Sequence, residues 1–406
     1  MKRPSRFHLD VTFLALANMF WPFGQSMYIG YFPLYIEELG GSKLVISLLS
    51  SVPYFMGLFA ILGGYLADRM DRKGLLLFGW AITVPAPLIW AFADRWELLL
   101  VGQVLYSLTA VCIPAFSLYV FDYKASYDKM VPYSLINAGG IAGAILAPSV
   151  GAAILARYDM KTLFLSVFVA YLLSTLCILL MSKQTPEAVP EKKGNGFKET
   201  FLDIKKDRTL YDMLYFAFIL FCMNISEPYV SVFLSEHHHM SVQMIGTAFT
   251  CLFIGASLFT WLFGKNTSKY KPVYIVLFGI LLFWIGITAV TVNRNPYIVY
   301  AGLFSRGVNR AMLYFVQGVL IQRLKAGNKG LVLSIFVSLR NTLIGIAAYP
   351  GAFLYNIHPV APFITEGLLL FVWISMLFFG FGSCLKENVN SNRVQKKSKD
   401  KSTVHI

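Results

Sequence analysis

The chain has 406 residues, of which 57% are hydrophobic, 16% aromatic and only 14% charged, with a mean hydropathy of +0.61. Soluble domains carry charge on about a quarter of their residues. This deficit, with apolar runs of about 20 residues, excludes a soluble globular protein and indicates a polytopic helical membrane protein.

In chain order the apolar runs predict twelve membrane spans at 9–36, 44–67, 75–93, 97–121, 131–156, 162–182, 209–235, 241–263, 272–292, 296–322, 331–355 and 361–385. The first is too long for a signal-peptide core and is expected to stay as a helix. Residues 183–208, with Pro186, Pro190, Gly194, Gly196 and many charges, read as a hydrophilic linker. The expected organisation is a six-helix bundle over 1–182, a linker over 183–208, a second bundle over 209–385 and a basic tail over 386–406. A net charge of +14 would suit an acidic or nucleic-acid partner, but its distribution gives another reading. With both termini inside, the outside loops hold only Lys43, Arg95, Arg157, Lys161 and Arg294 of the 35 Lys and Arg. That is the positive-inside asymmetry, so the charge sets topology and no nucleic acid is expected. The five cysteines (Cys112, Cys177, Cys222, Cys251 and Cys384) lie in or at the end of apolar runs without metal-ligand spacing, and read as small buried hydrophobes.

Between the second and third spans runs Gly64-Tyr-Leu-Ala-Asp68-Arg69-Met-Asp71-Arg72-Lys73-Gly74. This resembles the signature loop of the major facilitator superfamily, with Asp71 where the family usually has Gly. The halves echo each other at an offset near two hundred residues: Gly64 answers Gly264, Gly102 answers Gly302, and Lys-Asn-Thr-Ser-Lys-Tyr-Lys after Gly264 is a worn copy of the first loop. Weak duplication of this kind is typical of secondary transporters. The resemblance covers residues 9–385 and implies an all-α fold of twelve transmembrane helices in two pseudo-symmetric six-helix bundles, working by alternating access. It assigns gating to Gly64, Asp68, Arg69, Arg72 and Lys73, with Asp122 at the end of the fourth span completing a cytoplasmic charge relay.

Four spans carry polar stripes: Asn18, Trp21, Gln25 and Tyr28 in the first; Gln103, Tyr106, Ser107 and Ser117 in the fourth; Asn224, Glu227 and Ser231 in the seventh; Arg306, Asn309, Arg310 and Gln317 in the tenth. Residues three or four apart share a helix face. Each stripe alone could be interhelical hydrogen-bond glue, but spans 1, 4, 7 and 10 are the cavity helices in the family resembled. Arg340 lies ~14 Å from the cytoplasmic end of the eleventh span and Glu227 ~10 Å from the outer end of the seventh. A central charge costs at least about 2.5–3.5 kcal/mol, so such groups pair or bind something. One alternative is a Glu227–Arg ion pair that locks the second half; the other is a substrate site including Arg306, Arg310 and Arg340, with Glu227 carrying the coupling proton.

In the fifth span, Gly143-Ala-Ile-Leu-Ala-Pro148-Ser-Val-Gly151-Ala152 resembles the glycine-proline motif of drug/proton antiporters. Ala147 and Ala152 stand where Gly is usual, and the fourth span lacks the Arg that many proton-coupled exporters carry. His237, His238 and His239 read as a solvated loop, not a metal site. No phosphate-binding Gly-x-x-x-x-Gly-Lys loop and no nucleophile-base constellation occurs, so neither an ATP-driven pump nor an enzyme is expected, and no cofactor. The expected function is proton-coupled export of a small organic compound across the cell membrane. An organic-anion carrier and a non-transporting membrane sensor are the alternatives.

Overall fold

The computed structural model describes residues 6–67, 69–121, 130–184, 209–267, 269–323 and 329–379, and every regular element among them is helical. All twelve expected spans are present, several of them broken. The first is α1 (Arg6–Tyr28) followed by α2 (Phe32–Glu38), with Pro33 in its first turn. The second is α3 (Lys43–Met56), a 3-10 turn Gly57–Phe59 and α4 (Ala60–Ala67). The third is α5 (Arg72–Thr83) and α6 (Pro85–Ala91), and the fourth is α7 (Trp96–Ser107), a 3-10 turn Leu108–Cys112 and α8 (Ile113–Phe121). Then come α9 (Met130–Leu155), α10 (Met160–Leu180) and α11 (Thr209–Cys222). A 3-10 turn Glu227–Tyr229 leads into α12 (Val230–Glu236). The second half continues with α13 (Val242–Asn266), α14 (Pro272–Val292), α15 (Pro296–Arg306), α16 (Val308–Arg323), α17 (Lys329–Ile357) and α18 (Ala361–Phe378).

The breaks have local causes. Pro lacks an N–H and clashes with the preceding turn, so α3 slackens to a 3-10 turn soon after Pro53, and α6 restarts on Pro85. Pro228 occupies the 3-10 turn that interrupts the seventh span. Eight described stretches remain long and apolar enough to cross a membrane, among them Leu210–Glu236 and Pro272–Val292.

Two compact units result: residues 1–192, 226–250 and 344–362, and residues 193–225, 251–343 and 363–406. The first is built on α1 packed against α9 and α10. A Cβ on Gly143 would lie 2.3 Å from the Met19 carbonyl oxygen, and one on Gly151 would lie 2.2 Å from that of Met27. These glycines therefore let α9 meet α1 backbone to backbone, the contact small residues allow in membranes. Leu14, Leu76, Trp80, Ile136 and Ile178 fill the adjoining core. In the second unit the same device recurs, since a Cβ on Gly255 would lie 2.0 Å from the Phe304 carbonyl oxygen.

Candidate functional site

In the first unit the first-span stripe becomes an aromatic wall. Trp21 stacks on Tyr171 at 4.4 Å and 11°, and on Tyr106 at 5.7 Å and 14°, with Trp80 tilted beside it at 5.2 Å. Each such pair contributes about 0.5–1.5 kcal/mol beyond area burial. Trp80 is fixed in turn, its Nε1 donating to Ser174, whose hydroxyl donates to the Ala17 carbonyl. Trp21 stays partly exposed while Tyr106 and Tyr171 are buried, so Trp21 is the accessible face of the stack. Asn18 donates to the Ile136 carbonyl at 2.9 Å and ties α1 to α9. Tyr28 is buried against Phe32, Trp90 and Phe164, and Gln25 is partly exposed.

The charges and amides of the second unit are largely committed to one another. Arg306 Nη1 lies 3.2 Å from Glu366 Oε2, with both side chains at most 1% exposed. Its guanidinium also sits over Phe283 at 4.8 Å and Phe363 at 5.5 Å. The sequence reading offered a Glu227–Arg pair as one alternative; Arg306 pairs with Glu366, from the twelfth span. The signal for Glu366 was available, because it is a lone acid inside an apolar run. Asn224 and Asn309 bond each other at 3.3 and 3.4 Å, and Asn309 also donates to the Met223 carbonyl beyond the end of α11. Arg340 donates to Gln317 at 2.6 Å and to Asn341 at 3.3 Å. Arg310 is partly exposed, its guanidinium over Phe253 at 4.5 Å.

At the end of the first unit that carries the basic loop, Asp71 caps α5 by accepting from Gly74 N at 2.9 Å. Its other oxygen accepts from Gln184 N at 2.7 Å, binding the loop to the end of the sixth span. Asp71 thus supplies helix-capping and tethering bonds that a Gly there would lack. Arg72 is buried at 3% exposure, Arg69 lies over the Tyr65 ring at 3.7 Å, and Lys73 opens the second turn position of α5. Gly64 lies in α4. Asp68 and Asp122 lie outside the described residues.

The opposite end of this unit holds a cluster the sequence reading did not anticipate. Lys43 bridges two carboxylates, Glu37 and Glu236, the latter at 2.8 Å, and Tyr355 donates to Glu236 at 3.0 Å. Beneath it the Ser47 and Tyr229 hydroxyls lie against each other and at 2.8 and 2.9 Å from the Ala348 carbonyl, so that one of them donates to the carbonyl and the other to its neighbour's oxygen. Ser51 meets Tyr349 at 3.1 Å. Together these bonds join α2, α3, α12 and α17. Glu227 is partly exposed in the 3-10 turn just before Tyr229. His237 stacks on Phe233 and His238 meets the same ring edge-on. Among the described residues no group of three metal-binding side chains is placed to hold an ion.

Comparison with known proteins follows the same lines. The sequence profile of the Major Facilitator Superfamily matches residues 14–233 and 221–404. The multi-drug resistance efflux pump PmrA homolog of Lactococcus lactis is 24% identical over 73% of this chain and 73% of its own length. The multidrug resistance protein MdtG of Proteus mirabilis is 22% identical over 87% of this chain and 92% of its own. The match to the multidrug resistance protein MdtL of Klebsiella pneumoniae, at 26%, spans 45% of that protein. Among solved structures, the nucleoside transporter NupG superposes with a TM-score of 0.76 at 13% identity, over 93% of this chain and 99% of that one. A bacterial homolog of the human lysosomal transporter Spinster, in an inward-facing and unoccupied conformation, gives 0.68 at 15% identity, over 90% and 89%.

Proposed function

The chain belongs to the Major Facilitator Superfamily, and from that premise we propose that it exports small organic compounds in exchange for protons, with both termini on the cytoplasmic side of the cell membrane. The observation that carries the substrate side of this reading is the Arg306–Glu366 pair. A buried guanidinium committed to a carboxylate has no free fork for a substrate anion. Trp21, by contrast, offers a stacked aromatic face, which attracts cationic and planar compounds. Of the relatives named above, one is described as a multi-drug resistance efflux pump and another as a multidrug resistance protein, in keeping with this reading.

In this mechanism Trp21, Tyr28 and Tyr106, with Asn18 and Gln25, shape the substrate surface on the first half. Asn224, Asn309, Gln317 and Arg340 form the polar lining of the second half. Glu227 carries the proton as a partly accessible carboxylate in the 3-10 turn that interrupts the seventh span, next to Tyr229. Gly64, Asp68, Arg69, Arg72, Lys73 and Asp122 govern closure at the cytoplasmic end, and Gly143, Pro148 and Gly151 set the shape of α9.

The test is transport into proteoliposomes with cationic, neutral and anionic compounds, each with and without a pH gradient. Gradient-driven accumulation of cations or neutral compounds is expected. Glu227→Gln should abolish that accumulation while leaving substrate exchange partly intact, and Asp68→Asn should greatly reduce both while the protein still reaches the membrane. Accumulation that ignores the gradient, or an unchanged Glu227→Gln, would overturn the coupling scheme. A second reading, an organic-anion carrier, rests on Arg310, which is partly exposed and packs on a ring. Under it Arg310→Lys would weaken anion transport, since lysine keeps the charge but loses the bidentate fork.

A further inference from the structure

The two halves differ where α13 and α16 run toward the second basic loop. In the first half, Gly63 of α4 backs onto the 3-10 turn of the fourth span, where an added Cβ would lie 1.8 Å from the Val111 carbonyl oxygen. At the two-hundred-residue offset the second half has Phe263 in place of Gly63 and Ala311 in place of Val111. The Phe263 ring meets Phe315 of α16 edge-on at 5.7 Å. Its bulk holds the helices apart, and beyond it Gly264 and Gly318 have nothing within 4 Å of where a Cβ would be. A groove of about 220 Å³ results, walled by Thr260, Phe263, Thr267, Tyr314, Phe315 and Val319.

The wall is apolar apart from the Tyr314 hydroxyl. Both threonine hydroxyls donate to carbonyls of their own helix, Thr260 to Ala256 at 2.7 Å and Thr267 to Phe263 at 2.9 Å, which leaves their methyls for the groove. The segment that follows the groove in sequence is cationic. Exposed Lys265 directly follows Gly264, and exposed Lys269 lies two residues past Thr267, over Tyr270 at 5.3 Å. No Asp or Glu occurs anywhere between Glu236 and Glu366, so this loop has lost the acids that balance Arg69, Arg72 and Lys73 in the first half. Trp261, Tyr270 and Tyr274, at 58%, 47% and 59% exposure, form the aromatic belt typical of a membrane–water interface.

We propose that this groove binds an anionic glycerophospholipid, one acyl chain lying between α13 and α16 and its phosphate held by Lys265, Lys269 and Lys271. Apart from the Tyr314 hydroxyl the wall is apolar, and the stretch of sequence that follows it carries lysines and no acid. Each basic residue near a membrane surface strengthens binding of anionic lipid roughly five-fold. The site requires nothing of the transported compound.

The experiment is lipid retention by the purified full-length chain, titrated in detergent with phosphatidylglycerol and with phosphatidylcholine of the same chains and read by native mass spectrometry. Wild type should keep one phosphatidylglycerol in preference to phosphatidylcholine. Gly318→Leu and Gly264→Leu, each with open space for the new side chain, should lose that tightly held lipid. Lys265→Gln with Lys269→Gln should keep a lipid but lower the headgroup preference roughly twenty-five-fold. Undiminished phosphatidylglycerol retention in both leucine variants, or equal retention of the two lipids by wild type, would overturn the assignment.

Discussion

Arg306→Met removes the cation from a pocket in which the guanidinium and its partner Glu366 lie 3.2 Å apart and almost wholly buried. Breaking a buried pair from one side costs about 3–5 kcal/mol, because the remaining charge keeps its desolvation penalty without its counter-ion. The two ring contacts at 4.8 and 5.5 Å add about 0.5–1 kcal/mol each. A fall of about 4 kcal/mol or more is therefore expected, some three powers of ten in the folded-to-unfolded ratio. Removing both charges together, as Arg306→Met with Glu366→Leu, should recover most of it, since apolar residues of similar volume often replace a buried pair at no loss. Equilibrium unfolding of the purified chain by sodium dodecyl sulfate in mixed micelles gives the four stabilities of the cycle, and the coupling energy isolates the pair. An Arg306→Met variant within about 0.5 kcal/mol of wild type, or a double variant as unstable as the summed singles, would refute the reasoning.

Asp71→Ala should lower stability by about 0.5–2 kcal/mol through loss of the helix cap alone, read in the same unfolding assay, with no loss at all counting against the cap. Gly143→Val should destabilise more than Gly264→Val, since only the first would drive a Cβ to 2.3 Å from a carbonyl oxygen. Trp21→Ala should weaken binding of a cationic dye several-fold while Trp21→Phe largely preserves it, and equal losses would deny the stacked face its role.

Twelve spans, their approximate edges and the basic-loop motif were legible in the sequence because a bilayer permits so little. Backbone groups must be satisfied within the segment and about 20 apolar residues are needed to cross, so hydropathy alone locates the helices. The intramembrane arginines were legible for the same reason, since charge at that depth is costly wherever it stands. Partner choice was not legible, because a cost says that a charge needs company and says nothing of which neighbour arrives. Arg306 met Glu366 from sixty residues downstream, and Lys43, read from sequence as an ordinary outside-loop charge, closed on Glu37 and Glu236 with Tyr355 behind it. The duplication was visible at Gly64 and Gly264, yet only the packed helices separate a half where Gly63 closes on Val111 from one where Phe263 opens a groove. Periodicity in a sequence records which residues share a face of one helix. Which faces then meet depends on the fit of side chains from distant spans, and that is settled only when the helices pack.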